Sequence, residues 1–482
     1  MKKGDLIEVN ITKYAFEGKG IAKVNKNLIV PSKENEDGDN NYVVFVHGSY
    51  PGDTVKAKLT KIKKSYAEAV AVEILVPSEY RTTAKCEYFG TCGGCKQQDM
   101  IYKHQAEFKQ FQVEEIFRNM GGFKELKPEP VIPAEQVYYY RNKMEFSFSD
   151  KRWVTEKEIS TGAELDRSFA LGLHIPGMFD KVLDINTCYL QSELSNRILN
   201  FTRTFFKSRN TSIYSSKTNE GYLRNLVVRQ GLHTGDVMVN LVTFYEDNEL
   251  MQQYTDGLLK TAPEITTVIN NVNLKKALIA TGDYEKIFYG PGFIYDNIGN
   301  YRYRISANSF FQTNTIQAVN LYQAAADYAG FKGNEVVYDL YSGAGTISIF
   351  VSGMVKEVYA IEAVESAVKD AQENLQLNNI TNVNFILADL YKTFLPIVEE
   401  KQIPSPDVII LDPPRGGMHP KTVEDVLQLA PPKIVYVSCN PASQVRDIKL
   451  LTAEKYRLVK MKPVDMFPHT YHIENVALLE KI

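Results

Sequence analysis

"EVVYDLYSGAGTISIFVSGM", residues 335–354, decides the fold. An apolar, β-branched run breaks at a glycine-bearing turn and passes straight into a helical stretch. The same alternation then repeats. "EVYAIEA" (357–363) is the next strand, and "VESAVKDAQENLQL" (364–377) the next helix. "NVNFILADL" (382–390), "PDVIILDPP" (406–414) and "KIVYVSCNP" (433–441) are three more strands with helical stretches between them. Apolar strands alternating with helices predict a parallel, doubly wound sheet. The tail from 456 to 482 holds two further strands close together, which predicts an antiparallel finish.

Upstream the pattern differs. "IYKHQAEFKQFQVEEIFRNMGG" (101–122) reads as a helix ended by glycines, and "RNKMEFSFSD" (141–150) and "YLRNLVVRQG" (222–231) as strands of an antiparallel sheet. Further upstream lie five short strand-like runs with glycine and proline turns, the shape of a small OB-type barrel. An acidic insert, "ENEDGDNN" (34–41), reads as a loop between two of them, and "PSEYR" (77–81) as the exit linker. The expected architecture is multidomain α/β. It comprises an N-terminal OB-like β-barrel (1–78), a central α+β domain (79–300) and a C-terminal doubly wound, Rossmann-like domain (301–482).

Composition narrows the function. The chain has 482 residues and a net charge of −3, which excludes a strongly basic protein with generic affinity for polyanions. One local patch stands out, Lys56, Lys58, Lys61, Lys63 and Lys64, with no acid between them. It is either a solvated strand face or a phosphate-binding one. No apolar run reaches membrane-spanning length, and the start lacks the apolar core of a signal peptide. The expectation is a cytoplasmic protein with reduced thiols, no membrane association and no obligate protein partner. Five cysteines, an odd count, also argue against a disulfide framework.

In doubly wound sheets, ligands bind beyond the carboxyl ends of the strands. Those ends read "DLYSGAGT" (339–346), "AIEA" (360–363), "LADL" (387–390) and "LDPPRGG" (411–417). The glycine turn lacks the full G-x-G-x-x-G spacing, which disfavours a dinucleotide and favours a small nucleoside cofactor without phosphates. Glu362, at the end of the second strand, can accept from both ribose hydroxyls. Asp389, at the end of the third, can hold an adenine amino group. The set resembles the class I S-adenosylmethionine methyltransferases. Arg415 stands where enzymes that methylate amino groups carry an aromatic residue after Asp-Pro-Pro, so the target lies elsewhere.

Cys439 ends the strand after "LDPP", on the same edge as this cofactor. A thiolate beside a methyl donor has a use. Addition to C6 of uracil turns an electron-poor ring into an enolate whose C5 can attack a sulfonium methyl. A base must then remove the C5 proton so that the thiol can leave. "HTYHIEN" (469–475) offers His469, His472 and Glu474. The two histidines alone are too few for a metal site.

The stretches "SFFQTNT" (309–315), "DLYSGAGT", "IEAVESAVKDAQENLQLN", "LDPPRGG", "VYVSCNP" and "DMFPHTYHIENVALL" resemble, in order, the RNA uracil-C5 methyltransferases. Among these the chain looks like the iron–sulfur-containing 23S rRNA enzymes. The resemblance implies Cys439 as nucleophile and Glu474 as the proton-removing base. It implies that Gln312, Tyr341, Glu362, Asp389 and Asp412 line the methyl-donor site, Asp412 also meeting uracil N3–H.

"CEYFGTCGGC" supplies Cys86, Cys92 and Cys95, and Cys188 lies far downstream. Clustered thiols in a reducing compartment suggest metal, either zinc or an iron–sulfur cluster. The resemblance implies a [4Fe–4S] cluster on all four, with Cys439 left as the free thiol. "GKGIAKV" and "VFVHGSYPGDTVKAKL" are similar to a TRAM domain, which implies RNA binding and gives the lysine run a role at phosphates. The target uridine is expected to flip out of its stack. The function expected is C5 methylation of a uridine in 23S rRNA. The alternatives are uracil-C5 methylation of tRNA, radical methylthiolation and a non-catalytic RNA-binding protein. The C-x5-C-x2-C spacing disfavours the radical reaction, and the intact Cys439 and Glu474 disfavour the last.

Overall fold

In a computed structural model, residues 1–29, 41–276 and 280–482 are described. The acidic insert lies almost wholly outside them. The N-terminal strands, from Leu6–Asn10 to Tyr66–Val76, form one six-stranded sheet. They alternate, and the inward set (Ile7, Val9, Val44, Val46, Val55, Ala57 and Leu59 among them) makes a core of its own.

The lysine-bearing strand Thr54–Ile62 departs from a free basic face. Lys56 faces Glu8 on one neighbouring strand and Glu73 on the other. Lys61 pairs with Glu68 at 3.0 Å. The acids missing from this strand's own sequence come from the strands beside it.

The central sheet has eight strands and is mostly antiparallel, as the hairpin patterns predict. One exception is the parallel pair Val237–Thr243 and Thr267–Val272, joined by the helix Asn248–Thr261. The helix Tyr102–Ile116 runs on through a wider turn, Phe117–Gly121, and stops at left-handed Gly122. Val113, Ile116 and Phe117 join the core of the C-terminal sheet, beside Val445 and Ile448. Sequence placed this helix with the central part.

The C-terminal sheet has seven strands. Numbered within the sheet, their order is 3-2-1-4-5-7-6. All pairings are parallel except those of the last strand, Glu474–Lys481, which runs antiparallel to both neighbours. The order reverses between the first strand, Val336–Leu340, and the fourth, Val408–Leu411. That switch point opens a crevice at the carboxyl edge. Among the described residues no helix is long and apolar enough to cross a membrane.

Candidate active site

The crevice is a cavity of about 910 Å³. Gln312, Tyr341, Glu362, Asp412, Cys439 and Glu474 all line it. So do Cys86, Cys92, Cys95 and Cys188.

The turn after Val336–Leu340 shapes one wall. Tyr341, Gly343 and Gly345 all have positive φ, at 65°, 54° and 74°. A side chain on Gly343 would point into open space, whereas one on Gly345 would strike Phe385. Gly343 thus keeps the backbone bare where a ligand approaches. Glu362 holds this turn: its carboxylate accepts from the N–H groups of Gly343 (2.8 Å), Ala363 (2.8 Å) and Val364 (2.9 Å). The Tyr341 hydroxyl donates to Thr422 Oγ1 at 3.1 Å, which fixes the ring.

Asp389 is placed differently. It is exposed, is not among the residues lining the cavity, and accepts from Tyr391 N–H at 3.0 Å. That bond, aided by Lys392, holds its carboxyl below the usual carboxylate range. Its sequence position ends the strand, but its side chain caps the next turn. The neighbours Leu390 and Tyr391 reach the wall instead.

Cys439 sits between the end of strand Lys433–Ser438 and the helix Pro441–Thr452, whose N-cap is Asn440. Asn440 Nδ2 and Ser443 Oγ both donate to the Arg415 carbonyl at 3.0 Å, which ties the Asp-Pro-Pro-Arg loop to the thiol-bearing turn. The thiol is pushed up to about 12 by burial first, then by Glu474 and Asp412, with Arg415 opposing. Glu474 is held well above the usual carboxylate range by burial and by Asp412. Asp412 itself is pushed up to about 7 by burial and by Asp339. Three groups that repel one another's charge, with one guanidinium beside them, are the marks of a proton-transfer site.

Two members were not assigned in the sequence as they stand here. Arg415 faces the thiol and Glu474, and its only signal was its place after Asp-Pro-Pro. His472 Nδ1 lies 3.3 Å from Arg415 Nη2. Burial and Arg415 lower the His472 pKa to about 4, so the ring is neutral and accepts from the guanidinium. His469 faces away, its N–H donating to Gln105 Oε1 at 2.8 Å. Its carbonyl accepts from Lys96 (2.7 Å) and Gln97 (3.0 Å), just after Cys95.

The four clustered cysteines share one wall, yet no group of three or more His, Cys, Asp or Glu side chains among the described residues is placed to hold a metal ion. The sequence spacing brings the thiols together without fixing a common centre. Burial raises all four, Cys95 to about 12 and Cys188 to about 11. Gly94 N–H points at Cys92 Sγ (3.3 Å) and Gln98 Nε2 at Cys95 Sγ (3.2 Å). Such donors suit thiolate sulfur, so the chemistry of the wall fits a thiolate-held group even though its spacing is not that of a ligand set.

Residues 239–482 match the family model described as tRNA (Uracil-5-)-methyltransferase. The chain belongs to that family. Its members are S-adenosylmethionine-dependent RNA uracil-5 methyltransferases, and this chain is an enzyme of that class. Residues 1–72 match the TRAM domain, in keeping with RNA as its partner. An RNA methyltransferase of Chlorobaculum tepidum is 42% identical over all of this chain and 97% of its own length. One of Bacteroides thetaiotaomicron is 41% identical over 97% of this chain and 99% of its own. Among solved structures, the tRNA (uracil-54, C5)-methyltransferase of Pyrococcus abyssi, in complex with S-adenosyl-L-homocysteine, aligns with a TM-score of 0.73. It shares 28% identity and covers 98% of this chain and 99% of its own. This uracil-5 methyltransferase therefore has the multidomain α/β fold expected from its sequence.

Proposed function

We propose that this enzyme methylates C5 of a uridine in 23S rRNA through a covalent bond between Cys439 Sγ and uracil C6. One observation carries the reading: Cys439, Glu474 and Asp412 face one cavity, where the two carboxylates raise the proton affinity of the thiol and Asp412 raises that of Glu474. The methyl donor supplies an electrophilic methyl group. Gln312, Tyr341, Glu362 and Gly343 line its side of the cavity in this reading, and Asp389 contributes at the rim, through its turn.

The protein's part is proton management. Cys439 gives its proton to the Glu474 carboxylate as sulfur bonds to C6, and the C5=C6 pair moves into an enolate. Arg415 offsets the charge that develops. C5 takes the methyl, the enolate returns to a carbonyl, and Glu474 releases its proton to solvent. Glu474 then removes the C5 proton. The double bond re-forms as the S–C6 bond breaks, and Glu474 returns that proton to the departing thiolate. One proton leaves per turnover. Asp412, in its ionised form, accepts from N3–H.

We place a [4Fe–4S] cluster on Cys86, Cys92, Cys95 and Cys188. The support is their shared wall, the N–H donors to two of the sulfurs, and the family resemblance. Iron and sulfide analysis of anaerobically purified protein tests this. Four iron per chain is the expected result, and zinc or no metal would reject the cluster.

The choice of 23S rRNA rests on the combination of barrel and cysteine set. A specific observation favours tRNA as a second reading. The Pyrococcus abyssi tRNA (uracil-54, C5)-methyltransferase covers 98% of this chain, so overall architecture does not separate the two substrates. Labelled methyl transfer into 23S rRNA and tRNA transcripts, followed by nucleoside analysis, decides. 5-Methyluridine in 23S rRNA alone is expected. The label in tRNA alone would overturn the rRNA assignment.

A further inference from the structure

Lys85 stands among three tyrosines that the reaction leaves unused. Its ammonium lies 5.1 Å from the centre of the Tyr138 ring, 5.0 Å from Tyr139 and 4.4 Å from Tyr189. Lys85 is exposed and the rings are half-buried, so the patch opens to solvent. Tyr189 also lines the cavity, which makes the patch continuous with its mouth.

The patch is built at some cost. Tyr139 has φ 57°, a left-handed backbone that a bulky side chain seldom adopts. Its N–H donates to the Tyr189 carbonyl at 2.8 Å, and its hydroxyl to Glu193 Oε1 at 3.0 Å. Two other residues with such a backbone are Tyr341, in the cavity wall, and His469, whose ring lies 4.5 Å from that of Tyr138. Aromatic faces accept any base by stacking, and an ammonium beside them meets the adjoining phosphate. A target uridine turned into the cavity leaves its neighbours unstacked at the mouth.

We propose that Lys85, Tyr138, Tyr139 and Tyr189 form a stacking platform for an unpaired nucleotide next to the target uridine, with Lys85 at its phosphate. This rests on the reading of RNA as substrate. Stacking on aromatic faces is tolerant of sequence, because every base has such a face. A purely structural role would be a clamp, since Lys85 precedes Cys86 and Tyr189 follows Cys188.

The probe is a short single-stranded RNA with one central uridine and 2-aminopurine at each flanking position in turn, used with the full-length enzyme. At one position, binding should quench the fluorescence. Tyr189→Leu should abolish that quench, weaken binding about tenfold and raise KM, with kcat at saturation unchanged. Tyr139→Phe should keep the quench. Lys85→Gln, which keeps all three rings, should lower the salt slope of binding by about one. A quench that persists in Tyr189→Leu would overturn the platform, as would its absence at every position in an RNA that binds. Loss of folding stability and exposure of Cys86 to thiol reagents, with the quench intact, would show a clamp instead. No binding of RNA by the unaltered enzyme would overturn the substrate reading itself, and the platform with it.

Discussion

The cavity has two thiol-bearing ends, and they differ in company rather than in burial. Burial raises Cys439 and Cys95 alike, each to about 12. Around Cys95 the other perturbing groups are cysteines, with one amide donor on the sulfur. Around Cys439 they are two carboxylates and a guanidinium. Thiols gathered together, with amide donors on two of the sulfurs, suit a set of ligands whose protons a bound cation would displace to solvent. A thiol beside a carboxylate of raised proton affinity has an acceptor and suits a nucleophile. The two ends are joined by the His469 carbonyl, which accepts from the backbone after Cys95 on the loop that leads to Glu474.

Substitutions at the Cys439 end should have the largest effects. Cys439→Ala should lower methyl transfer by about 10⁴-fold or more while leaving donor binding intact, as measured with labelled donor and by calorimetry. A fall of less than about tenfold would erase the distinction between the ends. Glu474→Gln comes next. Turnover measured with labelled donor should drop by about 10²–10⁴-fold, because the variant can neither take the thiol proton nor remove the C5 proton.

Asp412→Asn separates chemistry from stability. In the folded chain the Asp412 carboxyl keeps its proton from its ordinary 3.8 up to about 7, where the unfolded chain has already lost it. The folded state therefore binds more protons across that window, and its stability falls as pH rises through it. Above pH 7 the substitution should stabilise the protein by ~1–3 kcal/mol, vanishing below pH 4, while activity is lost. Denaturant melts at two pH values check the sign. In the unaltered enzyme, kcat/KM should rise with pH through about 7 as Asp412 ionises, and further as Glu474, held above the usual carboxylate range, loses its proton. The smallest effect is expected away from both ends. Lys56→Ala should change RNA affinity by less than about threefold, because Lys56 stands opposite Glu8 and Glu73 rather than on a free basic face.

Legibility followed locality. The glycine turn, the end of each parallel strand, the antiparallel tail and the place of Cys439 are set by short stretches, and the sequence predicts them. Asp389 shows where that stops. A strand end fixes a backbone position, but the side chain turned to its own next turn, a local hydrogen bond that competes with any ligand. The acids opposite Lys56 were not legible, because sheets hide their pairs: Glu8 and Glu73 are far from it in sequence and beside it in register. Tyr138, Tyr139 and Tyr189 escaped notice because 29 tyrosines carry no pattern until the fold gathers three around one lysine.

The central claim is the Cys439 adduct, and one measurement reaches it directly. The enzyme is mixed with S-adenosylmethionine and RNA containing 5-fluorouridine, and the products are resolved under denaturing conditions and mapped by mass spectrometry. Fluorine at C5 cannot be removed as a proton, so the intermediate should persist as a methylated nucleotide bound to Cys439. An adduct on any other residue, or none with an RNA that the enzyme methylates, would contradict the account.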